Sequence, residues 1–207
     1  MPRLKQHLLG RILRHEYDGN ECTFMAQERN ALTIVNNCIY KHNVLCVNYT
    51  TYDLHHAQDS LNPRTHADFM TLSHEDDPET QDQFPYWFGQ IIGIFHAMVM
   101  YTGPGSWSLD PQHMEFLFVR WLGHDLNHHG GWKTKRLHRI GFVDGDDDAS
   151  FGFLDPQEII QAVHLIPAFH YGRTPDFLPP SNFAHPPSDN NEDWQYFYVN
   201  QYAYISI

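Results

Sequence analysis

The sequence predicts a mainly β fold (a β-rich α+β chain), and three observations support this prediction. Aromatic residues are abundant, with 14 Phe, 11 Tyr and 5 Trp among 207 residues. Glycine and proline, 13 of each, divide the chain into short segments, which favours strands and turns over a helical bundle. The strongest pattern is 86–101, YWFGQIIGIFHAMVMY, an apolar run rich in aromatic and β-branched residues. A chain of this length can bury one core of ordinary size.

Residues 1–43 are predicted to form an N-terminal helical arm. Apolar residues recur at positions 4, 8, 9, 12 and 13, which is the spacing that places side chains on one face of a helix. A weaker helical pattern covers 25–37. Because isolated short helices are only marginally stable in water, we expect this arm to pack against the rest of the chain.

Residues 44–170 are predicted to form a β-barrel-like domain. The run 86–101 is too long for one average strand, so we expect a long bent strand with a bulge at Gly89 or Gly93. A hairpin loop at 103–111 then leads into a second clear strand. Further strands are expected at 44–52, 67–72, 114–123, 136–144, 150–154 and 164–167.

One short helix is predicted late in the β domain. Asp155 and Pro156 are typical of a helix start, because Asp caps free N–H groups and Pro suits the first helical position. Residues 171–207 are predicted to form a Pro- and Asn-rich arm that ends in an aromatic strand. The whole pattern indicates a small, partly open β-barrel of SH3-like or BAH-like type with helical and extended arms.

Cysteine usage and hydropathy indicate an intracellular protein, either nuclear or cytoplasmic. Cys22, Cys38 and Cys46 are odd in number and lack CxxC spacing, which is typical of reduced thiols rather than of a disulfide framework or a zinc site. No apolar run approaches the ~20 residues that a membrane span needs, so we expect no membrane contact.

The charge of the chain argues against general binding of nucleic acid but leaves two basic islands. The formal net charge is −12, whereas such binding is driven by neutralisation of phosphates. Basic residues near the N-terminus and at 132–139 are nevertheless candidates for DNA contact. These candidates are Arg3, Lys5, Arg11, Arg14, Lys133, Lys135, Arg136 and Arg139. The alternative is that they form ordinary solvated surface.

The residues contain no recognisable catalytic machinery, so we expect a protein that is not an enzyme and that needs no cofactor. There is no Gly-x-Ser-x-Gly element, and neither phosphate-binding glycine pattern occurs. The best metal candidate is the cluster His124, His128 and His129, since His124 and His128 would share one face of a helix and could bind zinc. Glycines on both sides of this cluster interrupt such a helix, which favours a polar loop.

Tyr86, Trp87 and Trp121 are candidates for an aromatic groove. Exposed aromatic rings form an open cage in modules that bind methylated lysine, and an exposed strand edge can pair with a partner strand. The alternative is simple alternation, in which half of the rings face the core and half face away from it.

A set of segments, taken in order, resembles a family of fungal proteins. The segments are YTTYDLHHAQDSLNPRTHADFMTLSHEDD, PYWFGQIIGIFHAMV, MEFLFVRWLG, RLHRIGFVDG, FGFLDPQEIIQAVHLIPAF, the triplet Gly172-Arg173-Thr174 and EDWQYFYVN. From about Leu4 to Asn200 they resemble the C-terminal regions of basidiomycete transposase-like proteins of the KDZ or Plavaka type. Residues 86–170 are also similar to the small β domain near the C-terminus of plant CACTA-type transposases.

The resemblance implies an accessory region of transposon origin that follows a catalytic core absent from these residues. The first hypothesis is therefore a non-catalytic binding module that contacts protein, chromatin or DNA. The second is a degenerate transposase fragment that acts only as an oligomerisation or docking element. The third is a metal-dependent hydrolase built on the histidines at 124–129.

Overall fold

The computed structural model describes residues 2–15, 23–50, 56–73, 85–106, 108–131, 134–181, 184–185 and 190–200. Strand makes up 47% and helix 16% of the fold, which confirms the prediction of a mainly β chain. The main sheet curls into a half-barrel. Within these residues, no helix is both long enough and apolar enough to cross a bilayer.

Two α-helices and a series of mostly short strands build the described part of the chain. The helices are α1 (Pro2–Ile12) and α2 (Ala26–Ala31). Single 3-10 turns occupy Val35–Asn37, Pro156–Glu158 and Phe169–Tyr171. The strands are β1 (Leu32–Ile34), β2 (Tyr40–His42), β3 (Leu45–Thr50), β4 (His56–Leu61), β5 (Asp68–Leu72), β6 (Tyr86–Tyr101), β7 (Gln112–His124), β8 (Arg139–Phe142), β9 (Phe151–Leu154), β10 (Ile159–Ala162), β11 (Leu165–Pro167), β12 (Arg173–Thr174), β13 (Asp193–Trp194) and β14 (Phe197–Val199).

The long strands β6 and β7 form the centre of the main sheet. The order of the sheet is β10-β5-β6-β7-β8-β14-β11, while β1 and β2 also pair with β6 and β9 also pairs with β7. The β6–β7 register shifts between Ile91 and Gly93, so the bulge lies at Ile92, next to the second of the two glycines that the sequence indicates. Small separate hairpins pair β3 with β4 and β12 with β13.

Three apolar clusters fill the fold. The first lies between α1, the C-terminal half of β6 and the N-terminal half of β7. Leu8 and Leu9 of α1 are completely buried there. The second contains Phe69 of β5, and the third receives its neighbour Met70. Because successive strand residues point to opposite faces, the sheet has a core on each side at β5.

The predicted helix over 25–37 is shorter than the pattern indicates. Helix α2 ends at Ala31, and β1 follows at once, with Leu32 opposite Tyr101 and Ile34 opposite Val99 of β6. The branched residues of β1 gain a partner strand and a buried face there, and this tertiary pairing outweighs a weak helical preference. Residues 32–42 of the predicted arm therefore contribute two strands, β1 and β2, to the main sheet.

The predicted late helix is wrong. Asp155 does accept a hydrogen bond from the N–H of Gln157 (3.0 Å), but the turn that it caps covers only Pro156–Glu158. The following residues form β10, which pairs with β5. The open edge of β5 offers backbone hydrogen bonds and burial for Ile159 and Ala162, and a helix at this place would leave that edge unpaired.

The C-terminal segment also joins the main sheet. Strand β14 lies between β8 and β11, with Phe197 opposite both Ile140 and Pro167. Of the cysteines, Cys38 and Cys46 are exposed free thiols, and Cys22 lies outside the described residues.

Candidate functional site

The most distinctive surface of the protein is an arrangement of aromatic and arginine side chains near the C-terminus. It is built from the start of β8, the turn Phe169–Tyr171, β12 and the segment 194–196. Gly172 joins the turn to β12 with a φ of 76°, a left-handed backbone conformation that residues other than glycine rarely adopt. We call Arg139, Phe169, Tyr171, Arg173, Trp194 and Tyr196 the aromatic–arginine surface.

The outer half of this surface is centred on Trp194. Arg173 lies directly opposite Trp194 in the β12–β13 hairpin, and its guanidinium carbon is 4.7 Å from the centroid of the indole ring. Phe169 meets the same indole edge-on, with centroids 5.2 Å apart. Phe169 nevertheless leaves 70% of its surface exposed, so a large apolar side chain is held in place but not covered.

The inner half is centred on Arg139. Its guanidinium carbon lies 4.6 Å from the ring of Tyr171 and 4.7 Å from the ring of Tyr196. It also donates to Asp125, with Nε 2.7 Å and Nη2 2.5 Å from Oδ2, and to the hydroxyl of Tyr171. Burial opposes the charge of Asp125, but the hydrogen bonds from Arg139 and from the N–H of Asn127 outweigh it, so the pKa of Asp125 is lowered.

A buried ion pair holds the surface from beneath. Asp193 precedes Trp194 on β13 and is buried. Its carboxylate accepts two hydrogen bonds from the fully buried Arg120 of β7, at 2.9 and 2.7 Å. Nε2 of His185 lies 3.1 Å from the same carboxylate. Because neighbouring strand residues face opposite ways, this anchor directs Trp194 outward.

Sequence reasoning missed Arg120 and Asp193, although one signal was present. Arg120 is the only basic residue in the apolar strand sequence MEFLFVRWLG. A charge inside a buried strand requires a partner, because burying an unpaired charge is costly. The sequence gives no sign of which of its many acidic residues is that partner.

The basic residues proposed for DNA contact are largely engaged with the protein itself. On α1, Arg3 donates a hydrogen bond to the carbonyl of Phe151 (2.6 Å). Lys5 donates to the carbonyls of Arg29 and Leu32 (3.1 and 2.8 Å). Arg11 donates to the carbonyl of Glu115 and pairs with Asp155 at 2.6 Å. Arg14, Lys135 and Arg136 are exposed, Arg139 belongs to the aromatic–arginine surface, and Lys133 lies outside the described residues.

The three aromatic candidates are not all brought together. Trp87 and Trp121 meet edge-on, with centroids 6.1 Å apart, and Trp121 also packs on Phe69. Tyr86 precedes Trp87 on β6 and therefore points to the opposite face of the sheet. The structure thus forms a pair of tryptophans on one face, with Tyr86 apart from them.

The candidate metal residues serve as loop contacts. β7 ends at His124, and Nε2 of His124 lies 3.2 Å from the carbonyl oxygen of Tyr86. Nε2 of His128 lies 3.1 Å from the carbonyl oxygen of Leu137, and His129 is exposed. Across the described ranges, no group of three or more His, Cys, Asp or Glu side chains is arranged to hold a metal ion.

Comparisons of this chain with known protein families, with characterised proteins and with solved structures found no match. The function proposed below is therefore based on the chemistry of the aromatic–arginine surface and on the resemblance of the sequence segments.

Proposed function

We propose that this chain is a non-catalytic binding module of transposon origin, which docks a protein partner through the aromatic–arginine surface. The observation that carries the proposal is the 70% exposure of Phe169 beside Trp194 and Arg173. Trp, Tyr and Arg are the residues that most often carry the binding energy of protein interfaces. A rigid aromatic patch also loses little side-chain entropy when a partner covers it.

The chemistry of the surface defines the kind of partner. Phe169 and Trp194 offer apolar area, and Arg173 stands beside them with a positive charge. The partner segment is therefore an apolar side chain flanked by a carboxylate, presented by a nuclear or cytoplasmic protein such as a chromatin component. A duplex DNA partner is less suited, because the net charge is −12 and three of the basic candidates on α1 donate to groups of the chain itself.

The half-barrel serves as the scaffold in this proposal. We take it as an open variant of an SH3-like or BAH-like barrel, in which both arms contribute strands to the main sheet. The Arg120–Asp193 pair then links the scaffold to the docking hairpin. A docking surface on a rigid sheet keeps its geometry when the partner is absent.

Proximity labelling in fungal cells tests the proposal. The chain is fused to a biotin ligase, and the labelled proteins of the wild type are compared with those of Phe169→Ala/Arg173→Ala. Leu109→Ala is the matched control, because Leu109 is 69% exposed but lies in the loop between β6 and β7. The partner that disappears with the double variant is then purified and titrated against each chain.

The expected result is a loss of about 30-fold in affinity for Phe169→Ala, which is typical of an interface hot spot. Leu109→Ala is expected to bind like the wild type. The docking surface is not the one proposed if Phe169→Ala/Arg173→Ala and Leu109→Ala label the same proteins. The same conclusion follows if the purified partner binds Phe169→Ala and Leu109→Ala equally.

Self-association is the second candidate function, and the exposed aromatic patch also favours it. Two copies placed patch to patch would cover Phe169, as in a degenerate fragment that only oligomerises. Mutual repulsion of two chains of charge −12 opposes this pairing at low ionic strength. Light scattering at low and high salt tests it, since a dimer that appears at high salt and is lost in Phe169→Ala would replace the partner-docking proposal.

A further inference from the structure

Three histidines from three adjacent strands form a row on one face of the main sheet. His42 lies on β2, His96 on β6 and His113 on β7. The ring centroids of His42 and His96 are 4.8 Å apart, and those of His96 and His113 are 4.5 Å apart. His42 and His113 are exposed and His96 is half-buried. We call these three residues the histidine row.

The contact between His42 and His96 is made by the ring nitrogens themselves. Nε2 of His42 and Nδ1 of His96 are 2.6 Å apart. In such a contact one nitrogen carries the hydrogen and the other presents a lone pair. The pKa of His96 is lowered by burial and by the charges of His113 and His42, against the opposing effect of Glu115. Each neutral imidazole keeps one nitrogen with a lone pair, so the geometry of the row places candidate metal ligands side by side.

We propose that the histidine row binds a divalent transition-metal ion, with Nε2 of His42 and Nδ1 of His96 as its two direct ligands. Neutral imidazole nitrogen suits Zn²⁺, Cu²⁺ and Ni²⁺. Metal–nitrogen bonds of about 2.0–2.1 Å place two ligating nitrogens about 2.9 Å apart at a right angle and about 3.3 Å apart at the tetrahedral angle. The exposed ring of His42 therefore moves away from His96 by roughly 0.3–0.8 Å and turns until both lone pairs point at the ion. The hydrogen of the present contact moves to the other nitrogen of its own ring, and both contact nitrogens then donate lone pairs.

The surroundings of the pair supply further ligands and hold it in place. The ring of His113 lies beside that of His96 at an interplanar angle of 34°, and Glu115 lies directly opposite His96 in the β6–β7 register. In the proposed site, one of these two exposed side chains supplies the third ligand and water completes the coordination. On the other side, the ring of Tyr40 stacks on His96 with centroids 4.8 Å apart and an interplanar angle of 11°, which fixes the orientation of His96.

This site is distinct from the histidines that the sequence indicates. His42 and His96 are 54 residues apart, and only the pairing of β2 with β6 brings them together. The structure preforms only two of the proposed ligands, since the described residues contain no group of three or more metal-ligating side chains; the third ligand is recruited when the ion binds. The site uses none of the residues of the aromatic–arginine surface.

Calorimetric titration of the chain without an affinity tag tests the proposal, with Zn²⁺, Cu²⁺ and Ni²⁺ each added alone. The expected result is one ion per chain with a dissociation constant on the order of micromolar. His96→Gln and His42→Gln are each expected to weaken binding by about tenfold or more, because a chelate becomes a single-imidazole contact. His129→Gln is the matched control, since it removes an exposed histidine from the cluster at 124–129.

Nuclear magnetic resonance of the imidazole groups locates the ion independently. Paramagnetic Ni²⁺ is expected to broaden the resonances of His42 and His96 first. His42→Gln changes only a short exposed strand, so it keeps the test valid if His96→Gln fails to fold. The proposal is overturned if wild-type binding is weaker than about millimolar, if His42→Gln binds as tightly as His129→Gln, or if Ni²⁺ broadens His124, His128 or His129 instead.

Discussion

Replacing Asp68 with asparagine is expected to stabilise the protein at pH 8 and to have little effect near pH 4. Asp68 opens β5 opposite Gln90, which is itself opposite the buried Arg120. Burial raises the pKa of Asp68 to about 7, although a hydrogen bond from Gln90 partly opposes the rise. Between pH 3.8 and about 7, the folded chain keeps a proton that the unfolded chain releases, so the free energy of unfolding falls as the pH rises.

The size of the effect follows from the difference between the two pKa values. A pKa raised from 3.8 to about 7 corresponds to about 4 kcal/mol at about 1.4 kcal/mol per pH unit. The wild type has lost this whole contribution to its stability once the pH is above about 7. Asparagine has nearly the same shape, keeps an acceptor for Gln90 and carries no charge, so Asp68→Asn is expected to recover most of this energy at pH 8.

Urea unfolding at pH 4, 6 and 8 measures the effect as the difference between Asp68→Asn and the wild type. Other groups titrate over this range, but they titrate equally in both chains and cancel in the difference. Asp110→Asn, in the exposed loop before β7, is the control and should show no such trend. A difference that stays constant from pH 4 to pH 8 would show that the carboxyl group is not destabilised by burial.

Further predictions concern acid stability, the buried ion pair and DNA. Burial and the charge of Arg11 lower the pKa of His7 to about 3, so its neutral imidazole contributes stability that is lost, by about 1.4 kcal/mol per pH unit, as the pH drops from 6.5 towards 3. Asp68 contributes with the opposite sign between pH 3.8 and about 7, so the quantity to measure in urea is the difference in unfolding free energy between His7→Phe and the wild type, which should shift in favour of His7→Phe as the pH falls. Asp193→Ala should lower the free energy of unfolding by about 3–5 kcal/mol, because it leaves Arg120 charged and buried. The double change Arg120→Met/Asp193→Leu should lower it by less, and urea unfolding measures both. Fluorescence anisotropy with duplex DNA should detect no binding at about 150 mM salt; an affinity that Lys135→Glu abolishes would contradict this.

The parts of the fold that the sequence predicts are those that local patterns determine. The run 86–101 forms β6 over the same residues, and its bulge lies next to Gly93. The loop at 103–111 corresponds to the connection between β6 and β7. In each case the information lies within a few neighbouring residues, so alternation and turn residues are sufficient to recover it.

The parts that the sequence does not predict depend on partners far along the chain. Residues 159–162 become a strand because the edge of β5 is open to them, and β5 lies about ninety residues earlier in the sequence. Contacts between side chains from distant strands are equally hidden from local patterns. The adjacent histidines at 128 and 129 attract attention in a sequence, whereas the pair that makes direct contact is His42 and His96.

The buried and exposed features of β13 are physically coupled, and two cases follow: a proposed docking surface that the buried ion pair positions, and one that forms without it. Asp193 and Trp194 are neighbours, so whatever fixes the carboxylate against Arg120 also fixes the indole on the surface. A buried ion pair is seldom more stable than an apolar replacement, so apolar residues can take the place of the pair without unfolding the protein. The apolar double variant Arg120→Met/Asp193→Leu therefore distinguishes the two cases: it should remain folded, yet lose the partner that Phe169→Ala loses, because β13 is no longer held in its register. Retained partner binding in a folded double variant would show that the ion pair does not position the surface.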